Sequence, residues 1–377
     1  MTPLQAFGRR ETVAVMIVGV IGVLIPGLQP QLLGALAATG RIGTGAIGLL
    51  ATAELLAMGI AAGGAGLLFK GDRLRAIAVM GLAISAACDL LTPLGGTAAI
   101  FGLRIVAGLA EGVLIWLAIG FIIRSGNPER WSGLYLGIQT AAQFALASLI
   151  GLFVLGRTGA TGFEWLALVT VAGLLALPLL PRSYEALEHD EAARDAIPPR
   201  GWIALGGIVF YLAAVVAVWV YIEPLGLRRA LDAHNVHIVA PLALGCQVIG
   251  ALAAAWLAER LPAPGIVIAC AGLSLALLAL LALTASPAVF IAAAAAFGFL
   301  WLFVMPFQIP LVIAADPSRR AAVMIGGAQL VGSSLGPFAA GMLVEGDDVS
   351  PVPLLGMACA ITGVILLLGA GWRRAVP

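Results

Sequence analysis

Long apolar stretches dominate this chain, and short polar turns separate them. Residues 13–38, for example, contain no charged side chain. A helix of that length crosses the hydrocarbon core of a bilayer, which needs roughly 20 apolar residues. The pattern predicts about twelve spans, each roughly 18–27 residues long. Their expected bounds, numbered spans one to twelve in chain order, are 12–38, 45–69, 76–92, 98–123, 132–156, 163–181, 201–224, 236–258, 265–284, 287–314, 320–344 and 351–371.

The composition also indicates a protein embedded in a lipid bilayer. Hydrophobic residues make up 62% of the 377 residues, charged residues 10%, and the mean hydropathy is +1.08. A soluble domain has about 25% charged residues. The net charge of +1 gives no reason to expect nucleic acid as a partner. The four cysteines fall in apolar spans without disulfide or metal-ligand spacing, so we expect no metal and no other cofactor.

Positive charge is divided unevenly between alternate loops. Fifteen of the 20 Lys and Arg residues fall on one side, four fall on the other, and Arg104 lies inside span four. The side rich in positive charge is cytoplasmic. We therefore expect a multi-pass protein of the plasma membrane, in bacteria the inner membrane, with both termini in the cytoplasm. The apolar run that follows Arg9 and Arg10 exceeds the roughly 7–15 residues of a signal peptide, so we expect an uncleaved first span.

Short motifs recur in the second half of the chain at a nearly constant offset. Residues 72–74, Asp-Arg-Leu, are matched by Glu-Arg-Leu at 259–261, 187 positions later. Residues 137–139, Gly-Ile-Gln, are matched by Gly-Ala-Gln at 327–329, 190 positions later. The common order and offset predict that a six-helix bundle was duplicated. The expected domains are an N-terminal bundle at 1–181, a cytoplasmic linker at 182–200 and a C-terminal bundle at 201–377.

Three segments resemble motifs of the major facilitator superfamily. Residues 66–75, which include Asp72-Arg73, resemble the family's loop between spans two and three. Residues 104–112 resemble the Arg-x-x-x-Gly pattern of its proton-linked members. Residues 332–341 resemble the Gly-Pro motif of its antiporters, although that motif belongs to span five and here lies in span eleven. The resemblance implies an all-α membrane fold of twelve transmembrane helices in two six-helix, pseudo-symmetric halves, with a transport site between the halves.

Three ionisable side chains are expected deep in the membrane: Glu54 in span two, and Arg104 and Glu111 in span four. A charge at that depth costs a few kcal/mol or more, so it faces a cavity or a partner. The spacing of Arg104 and Glu111 places both on one helix face, about 10 Å apart. We expect Glu111 or Glu54 to carry a proton, and Arg104 to bind an anionic solute or to sense the carboxylate. The alternative is a fixed Arg104–Glu54 or Arg104–Glu111 pair that only joins helices.

By analogy with the superfamily, spans one, four, seven and ten line the solute cavity. An apolar, aromatic wall with a few amides suits an organic molecule with a hydrophobic body. The alternative is that these aromatic residues pack between helices or face lipid. The expected wall residues outside span four are Gln29, Gln31, Trp219, Tyr221, Glu223, Trp301, Phe307 and Gln308.

Other polar and glycine positions suggest structural roles. Asp89, Glu164 and Glu223 lie near the outer ends of their spans, where we expect interfacial positions, with Glu223 the best functional candidate of the three. The expected conformational latch on the cytoplasmic side comprises Asp72, Arg73 and Arg75. Three glycine pairs have the spacing of close-packing seams between helices. These pairs are Gly59/Gly63, Gly108/Gly112 and Gly332/Gly336.

The sequence therefore predicts a secondary active transporter of a small organic solute, anionic or aromatic, that works by alternating access. We expect a monomer coupled to protons, as a symporter or an antiporter. Proton-driven efflux of amphipathic compounds is one alternative. A non-transporting receptor or assembly protein on a transporter fold is another. An enzyme is not expected, because the loops show no nucleophile, metal cluster or paired acids.

Overall fold

The architecture is helical throughout the part of the chain that the structure describes. A computed structural model describes residues 7–69, 71–125, 128–153, 162–185, 197–229, 231–232, 235–257 and 260–371. Within these ranges the β-type pairing is one isolated bridge, between Glu345 and Asp348.

Helices occupy all twelve positions at which the hydrophobic pattern predicts a span. Proline is the first helical residue at Pro128, Pro199, Pro287 and Pro351, where its missing N–H costs no hydrogen bond. The bounds, from span one to span twelve, are Arg9–Ile21 with Ile25–Ala38, Ala46–Leu68, Leu74–Leu91, Thr97–Arg124, Pro128–Phe153, Phe163–Ala172 with the 3-10 helix Gly173–Leu179, Pro199–Val220, Val239–Leu257, Ala263–Leu283, Pro287–Ala315, Ile325–Leu343 and Pro351–Gly371. A short helix, Ile222–Arg229, follows span seven.

Most of these helices have the length and the composition of membrane spans. Among the described residues, ten are long and apolar enough to cross a bilayer. The apolar helix at span six, Phe163–Leu179, is shorter. The helix at span eleven is not among the ten, and it carries Gln329, Ser333 and Ser334 between its apolar residues. The chain is a multi-pass membrane protein.

Span one is broken, which its uninterrupted apolar pattern did not predict. Pro26 has no N–H, so the carbonyl of Gly22 loses its regular helical partner. The chain tightens instead, and the N–H of Val23 bonds to the carbonyl of Val20 at 3.1 Å. Gln143 in span five donates to the carbonyl of Val23 at 2.6 Å. A neighbouring helix therefore satisfies backbone groups that lipid leaves unbonded.

The same helix pairs pack together in the two halves of the sequence. In the first half, span four packs on spans one and three, and span six packs on span three. In the second half, span ten correspondingly packs on spans seven and nine, and span twelve packs on span nine. A glycine marks an equivalent crossing in each half. A Cβ at Gly108 would collide with the carbonyl oxygen of Glu54, and a Cβ at Gly298 would collide with that of Ala243. Gly298 follows Gly108 by 190 positions, which is the offset seen in the sequence repeat.

Two of the expected glycine seams are confirmed. Like Gly108, Gly112 leaves no room for a Cβ, which would collide with the carbonyl of Met58. Gly332 and Gly336 lie in the same way against the backbone of span seven. The expectation is wrong for Gly63, which has no atom within 4 Å of a Cβ built on it. Glycine spacing alone does not say whether the glycine face meets a neighbouring helix.

Contacts divide the chain into two compact units. Unit 1 comprises Met1–Leu28, Ala53–Leu146 and Thr161–Arg194, and unit 2 comprises Gln29–Thr52, Ala147–Ala160 and Asp195–Pro377. The divisions fall inside spans one, two and five, so the units differ from the repeats of the sequence. The domain bounds expected from the sequence, 1–181, 182–200 and 201–377, stay a prediction. Residues 186–196 of the linker lie outside the described residues.

Candidate functional site

Arg104 lies at the centre of a cluster of buried ionisable side chains in unit 1. Its Nη1 donates to Oε1 of Glu54 in span two at 2.9 Å, and its Nη2 donates to Oδ1 of Asp89 in span three at 2.8 Å. All three side chains are fully buried. The guanidinium carbon also lies 4.8 Å from the ring centroid of Phe163 in span six. Side chains from spans two, three, four and six therefore meet at the guanidinium of Arg104.

Glu111 belongs to the same cluster but is bonded differently. The hydroxyl of Ser85 donates to Oε1 of Glu111 at 3.4 Å, which is long for a bond between two oxygens. The other carboxyl oxygen, Oε2, is buried and has no hydrogen-bond partner in the described part of the chain. Glu111 as a whole is 3% exposed. Within the described residues, the ion pairs of Arg104 are with Glu54 and Asp89, so Glu111 has a neutral hydroxyl as its hydrogen-bond donor.

The cluster differs from the sequence prediction in one important residue. The Arg104–Glu54 pair, expected as the structural alternative, is present. The expectation that Asp89 is interfacial is wrong, because Asp89 is fully buried against Arg104. A usable indication was present in the sequence. Ser85 and Asp89 are four residues apart, so both lie on one face of span three, and a polar face inside an apolar span needs a partner.

The expected wall residues of spans one, seven and ten all lie in unit 2. Apart from Trp301, which is half-buried, none is more than 2% exposed. The Trp219 and Trp301 rings meet edge on, with centroids 5.8 Å apart, and the Phe307 ring lies 5.4 Å from that of Phe303. Gln308 borders a small internal cavity with Tyr211. These contacts are those of a packed interior, the alternative left open above, and solute contact by these residues stays a prediction.

Tyr221 joins span seven to the start of span two within unit 2. Its hydroxyl accepts the N–H of Gly48 at 2.9 Å and lies 3.3 Å from the carbonyl of Gly45, to which it donates. A Cβ at Gly48 would come within 2.9 Å of the same hydroxyl. The absence of a side chain at Gly48 therefore lets the phenol reach the helix backbone.

Glu223 is buried, so the expectation of an interfacial position is wrong for this residue too. It is 2% exposed, and its Oε2 lies 3.4 Å from Nδ1 of His237 at the start of span eight. The side-chain nitrogen of Gln31, in span one, donates to the carbonyls of His237 and Ala147, each at 3.2 Å. Gln29 is likewise fully buried in this unit. His237 therefore contacts Glu223 through its ring and Gln31 through its backbone carbonyl.

The expected latch residues lie beside the segment that follows span six. Asp72 and Arg73 are exposed, and Arg73 has a left-handed backbone with φ of 56° immediately before span three. Arg75 Nε donates to the carbonyl of Leu180 at 2.8 Å. The Tyr184 hydroxyl donates to the carbonyl of Leu117 at 2.7 Å, and burial raises the pKa of this phenol, which keeps it a neutral donor. The role of the latch stays a prediction.

Solved transporter structures share this arrangement of helices. A mutant of the nucleoside transporter NupG superposes with a TM-score of 0.72 at 12% sequence identity, over 96% of this chain and 99% of that chain. FucP, a Major Facilitator Superfamily transporter in the outward conformation, superposes with a TM-score of 0.61 at 15% identity, over 95% of this chain and 98% of that one. This chain has the major facilitator superfamily fold.

The same superfamily fold occurs in a bacterial homologue of the human lysosomal transporter Spinster, in its inward-facing, unoccupied conformation. The TM-score is 0.60 at 16% identity, over 97% of this chain and 95% of that chain. No protein-family model and no curated protein matches the sequence. The fold implied by the three motif resemblances is therefore confirmed by structure.

The superfamily fold does not by itself require the charged cluster. The 190-position offset that relates Gly108 to Gly298 relates Arg104 to Ala294 and Glu111 to Trp301. The carbonyl of Glu54 corresponds to that of Ala243, which touches Gly298 in the same way. Ala243 is 1% exposed and Ala294 is 1% exposed. Among the described residues, the crossing at Gly298 is thus packed by apolar side chains, whereas the crossing at Gly108 carries the ionisable cluster.

Proposed function

We propose that the protein is a secondary active transporter that moves a small organic solute across the membrane by alternating access and couples this movement to protons. Transport is supported by the fold, because the structures compared above are described as transporters or transporter homologues. Proton coupling is supported by the cluster around Arg104. Ionisable groups are costly to bury, and the similar helix crossing at Gly298 is packed without them. Buried ionisable groups of this kind are concentrated at functional sites.

Glu111 is the proton carrier in this proposal. Three carboxyl groups and one guanidinium share the interior of unit 1, so full ionisation would leave two excess negative charges there. Arg104 is already engaged by Glu54 and Asp89. Because an unpaired buried anion is unfavourable, Glu111 holds a proton when the cluster is closed. It releases that proton when a conformational change brings water to its carboxyl group.

Loss of the proton from Glu111 then acts on the bonds of Arg104. A new negative charge on span four competes with Glu54 of span two and Asp89 of span three for the same guanidinium. Each bond that Arg104 gives up weakens the contact between span four and one neighbour. A protonation step can bias the conformational equilibrium only through such a difference in contacts between states.

The experiment uses the full chain in proteoliposomes with an imposed pH gradient. Trial solutes are nucleosides, carboxylates and aromatic amphiphiles. In Glu111→Gln the side chain keeps its size and cannot release a proton, so accumulation driven by the pH gradient should be lost. Exchange of labelled for unlabelled solute at equal pH should remain. Glu164→Gln, which neutralises an exposed acid of the same unit, is the control and should keep both activities. Normal pH-driven accumulation by Glu111→Gln would remove Glu111 from the mechanism.

The same assay separates the alternative functions. A receptor or assembly protein would bind ligands but exchange none of them across the membrane. Proton-driven efflux of amphipathic compounds would move solute out of the compartment into which protons flow, whereas symport would move solute and protons in the same direction. The buried acids favour a transporter over a passive scaffold, since a scaffold has no use for them. The distribution of positive charge supports a plasma-membrane location with both termini in the cytoplasm.

A further inference from the structure

Unit 2 contains an open cavity of about 390 Å³. The proposed proton site lies in unit 1 and contributes no residue to the lining of this cavity. Its walls come from the end of span one, the helix Ile222–Arg229, the start of span eight and the loop between spans eleven and twelve. Cavities of roughly 300–1,000 Å³ hold small organic ligands. The space is therefore large enough for a molecule with a carbon body as well as a polar group.

Glu223 gives this cavity an unsatisfied hydrogen-bond acceptor. It is 2% exposed and lines the cavity, and its Oε1 has no hydrogen-bond partner among the residues that the structure describes. Its Oε2 lies 3.4 Å from Nδ1 of His237, too far for a strong bond. Gly34 keeps the space over the carboxyl group open, because a Cβ there would lie 3.3 Å from Oε2. A buried acceptor without a donor is costly, and a ligand that supplies the donor removes that cost.

The charges around Glu223 favour a cationic ligand. The guanidinium of Arg228, which lines the cavity, is paired with Asp348 at 3.1 Å. Hydrogen bonds from Ser350, and then the charge of Arg228, lower the pKa of Asp348, so this pair stays ionised at neutral pH. A second acid, Asp347, lines the cavity and accepts the hydroxyl of Thr44 at 2.6 Å. The lining therefore contains two carboxyl groups, those of Glu223 and Asp347, and one guanidinium group, that of Arg228.

We propose that this cavity binds a small organic amine whose ammonium group donates a hydrogen bond to Oε1 of Glu223. A charge-assisted bond of this kind is about twice as strong as one between neutral groups. The carbon body of the amine lies against Ala37, Pro224 and Leu227, which also line the cavity. Among the described residues no group of three or more metal-ligating side chains occurs, so a metal ion is the weaker candidate for this space.

The site can be tested without any transport measurement. The full chain in nanodiscs of zwitterionic lipid is titrated at pH 7 with benzylamine and, separately, with benzyl alcohol, its neutral counterpart of similar shape. Empty nanodiscs correct for partition into lipid. Benzylamine should bind at least tenfold more tightly than benzyl alcohol. Glu223→Gln should weaken benzylamine binding at least tenfold and leave benzyl alcohol unchanged.

Two further variants control for misfolding and for long-range effects of charge. Ala37→Leu keeps every charge but fills part of the cavity, so it should weaken benzylamine binding even if Glu223→Gln does not fold. Glu345→Gln removes an exposed acid from the loop that carries Asp347, outside the cavity lining, and should bind benzylamine like the unmodified chain.

Three results would overturn the proposal: equal affinity for the amine and the alcohol, unchanged binding in Glu223→Gln or Ala37→Leu, or loss of binding on addition of EDTA. The outcome is independent of proton coupling, since Glu111→Gln should bind benzylamine normally even where it fails to accumulate solute.

Discussion

The crossing of spans two and four allows a sharp test of why the charged cluster exists. Gly108→Ala places a methyl group on the carbonyl oxygen of Glu54, and Gly298→Ala does the same to the carbonyl of Ala243 in the second half of the chain. The two substitutions are equivalent in packing. They differ in chemistry, because one crossing holds the acid that Arg104 binds and the other is apolar.

The expected magnitudes follow from the geometry. To restore ordinary contact, the two helices must separate by roughly 1 Å. The bond from Arg104 to Glu54, now 2.9 Å, would then exceed the length of a useful hydrogen bond. Overpacking costs about 1–3 kcal/mol, and alanine returns about 0.5–1 kcal/mol as the better helix former. Both variants should therefore lose about 0–2.5 kcal/mol of stability. Only Gly108→Ala should lose proton coupling.

The assay combines thermal unfolding in detergent with pH-driven accumulation in proteoliposomes. Gly102→Ala is the matched control in span four, because a Cβ there has no atom within 4 Å, and it should be neutral or slightly stabilising. Equal loss of coupling in Gly108→Ala and Gly298→Ala would refute the reasoning, since the defect would then come from helix packing. Full coupling in Gly108→Ala would show that the Arg104–Glu54 bond is not used.

Three other predictions concern single residues. Arg104→Ala should reduce transport of anionic solutes more than of neutral ones, and an equal loss in uptake assays would indicate a structural role. Tyr221→Phe removes the hydroxyl that bonds to Gly48 and Gly45, so it should lower stability by about 1 kcal/mol in thermal unfolding; an unchanged Tm would speak against these bonds. Asp72→Asn should shift the balance of conformations, seen as altered labelling of an introduced cysteine, without changing solute affinity, and an unaltered labelling pattern would exclude a latch.

The sequence was enough to locate the helices, because length and apolar composition alone decide whether a segment crosses a bilayer. It was not enough to show how each helix is shaped. Span one has an unbroken apolar pattern, yet Pro26 interrupts it, and the compensating bond comes from Gln143 more than a hundred positions away. Such a compensation depends on which helices become neighbours, and a hydrophobic pattern contains no information on that.

The candidate site could be predicted from the sequence only in part. Glu54, Arg104 and Glu111 stand out because charges are rare in apolar runs. Asp89 was misjudged because its nearness to the end of span three suggested exposure to water. Spans three and four follow each other through a short connection, so the end of one lies level with the beginning of the next. Asp89 lies two positions before Leu91, where span three ends, and Arg104 lies seven positions after Thr97, where span four begins.

The apolar crossing at Gly298 also indicates how much stability the charged crossing at Gly108 costs. Replacing a buried ion pair or triad by well-packed hydrophobic residues often leaves a protein equally stable or makes it more stable by about 1–4 kcal/mol. Changing Glu54, Asp89 and Arg104 together to leucine should therefore leave the chain equally stable or more stable, and the proposed proton coupling should be lost. The apolar crossing at Gly298 thus provides the reference against which the cost in stability of the Arg104 cluster can be measured.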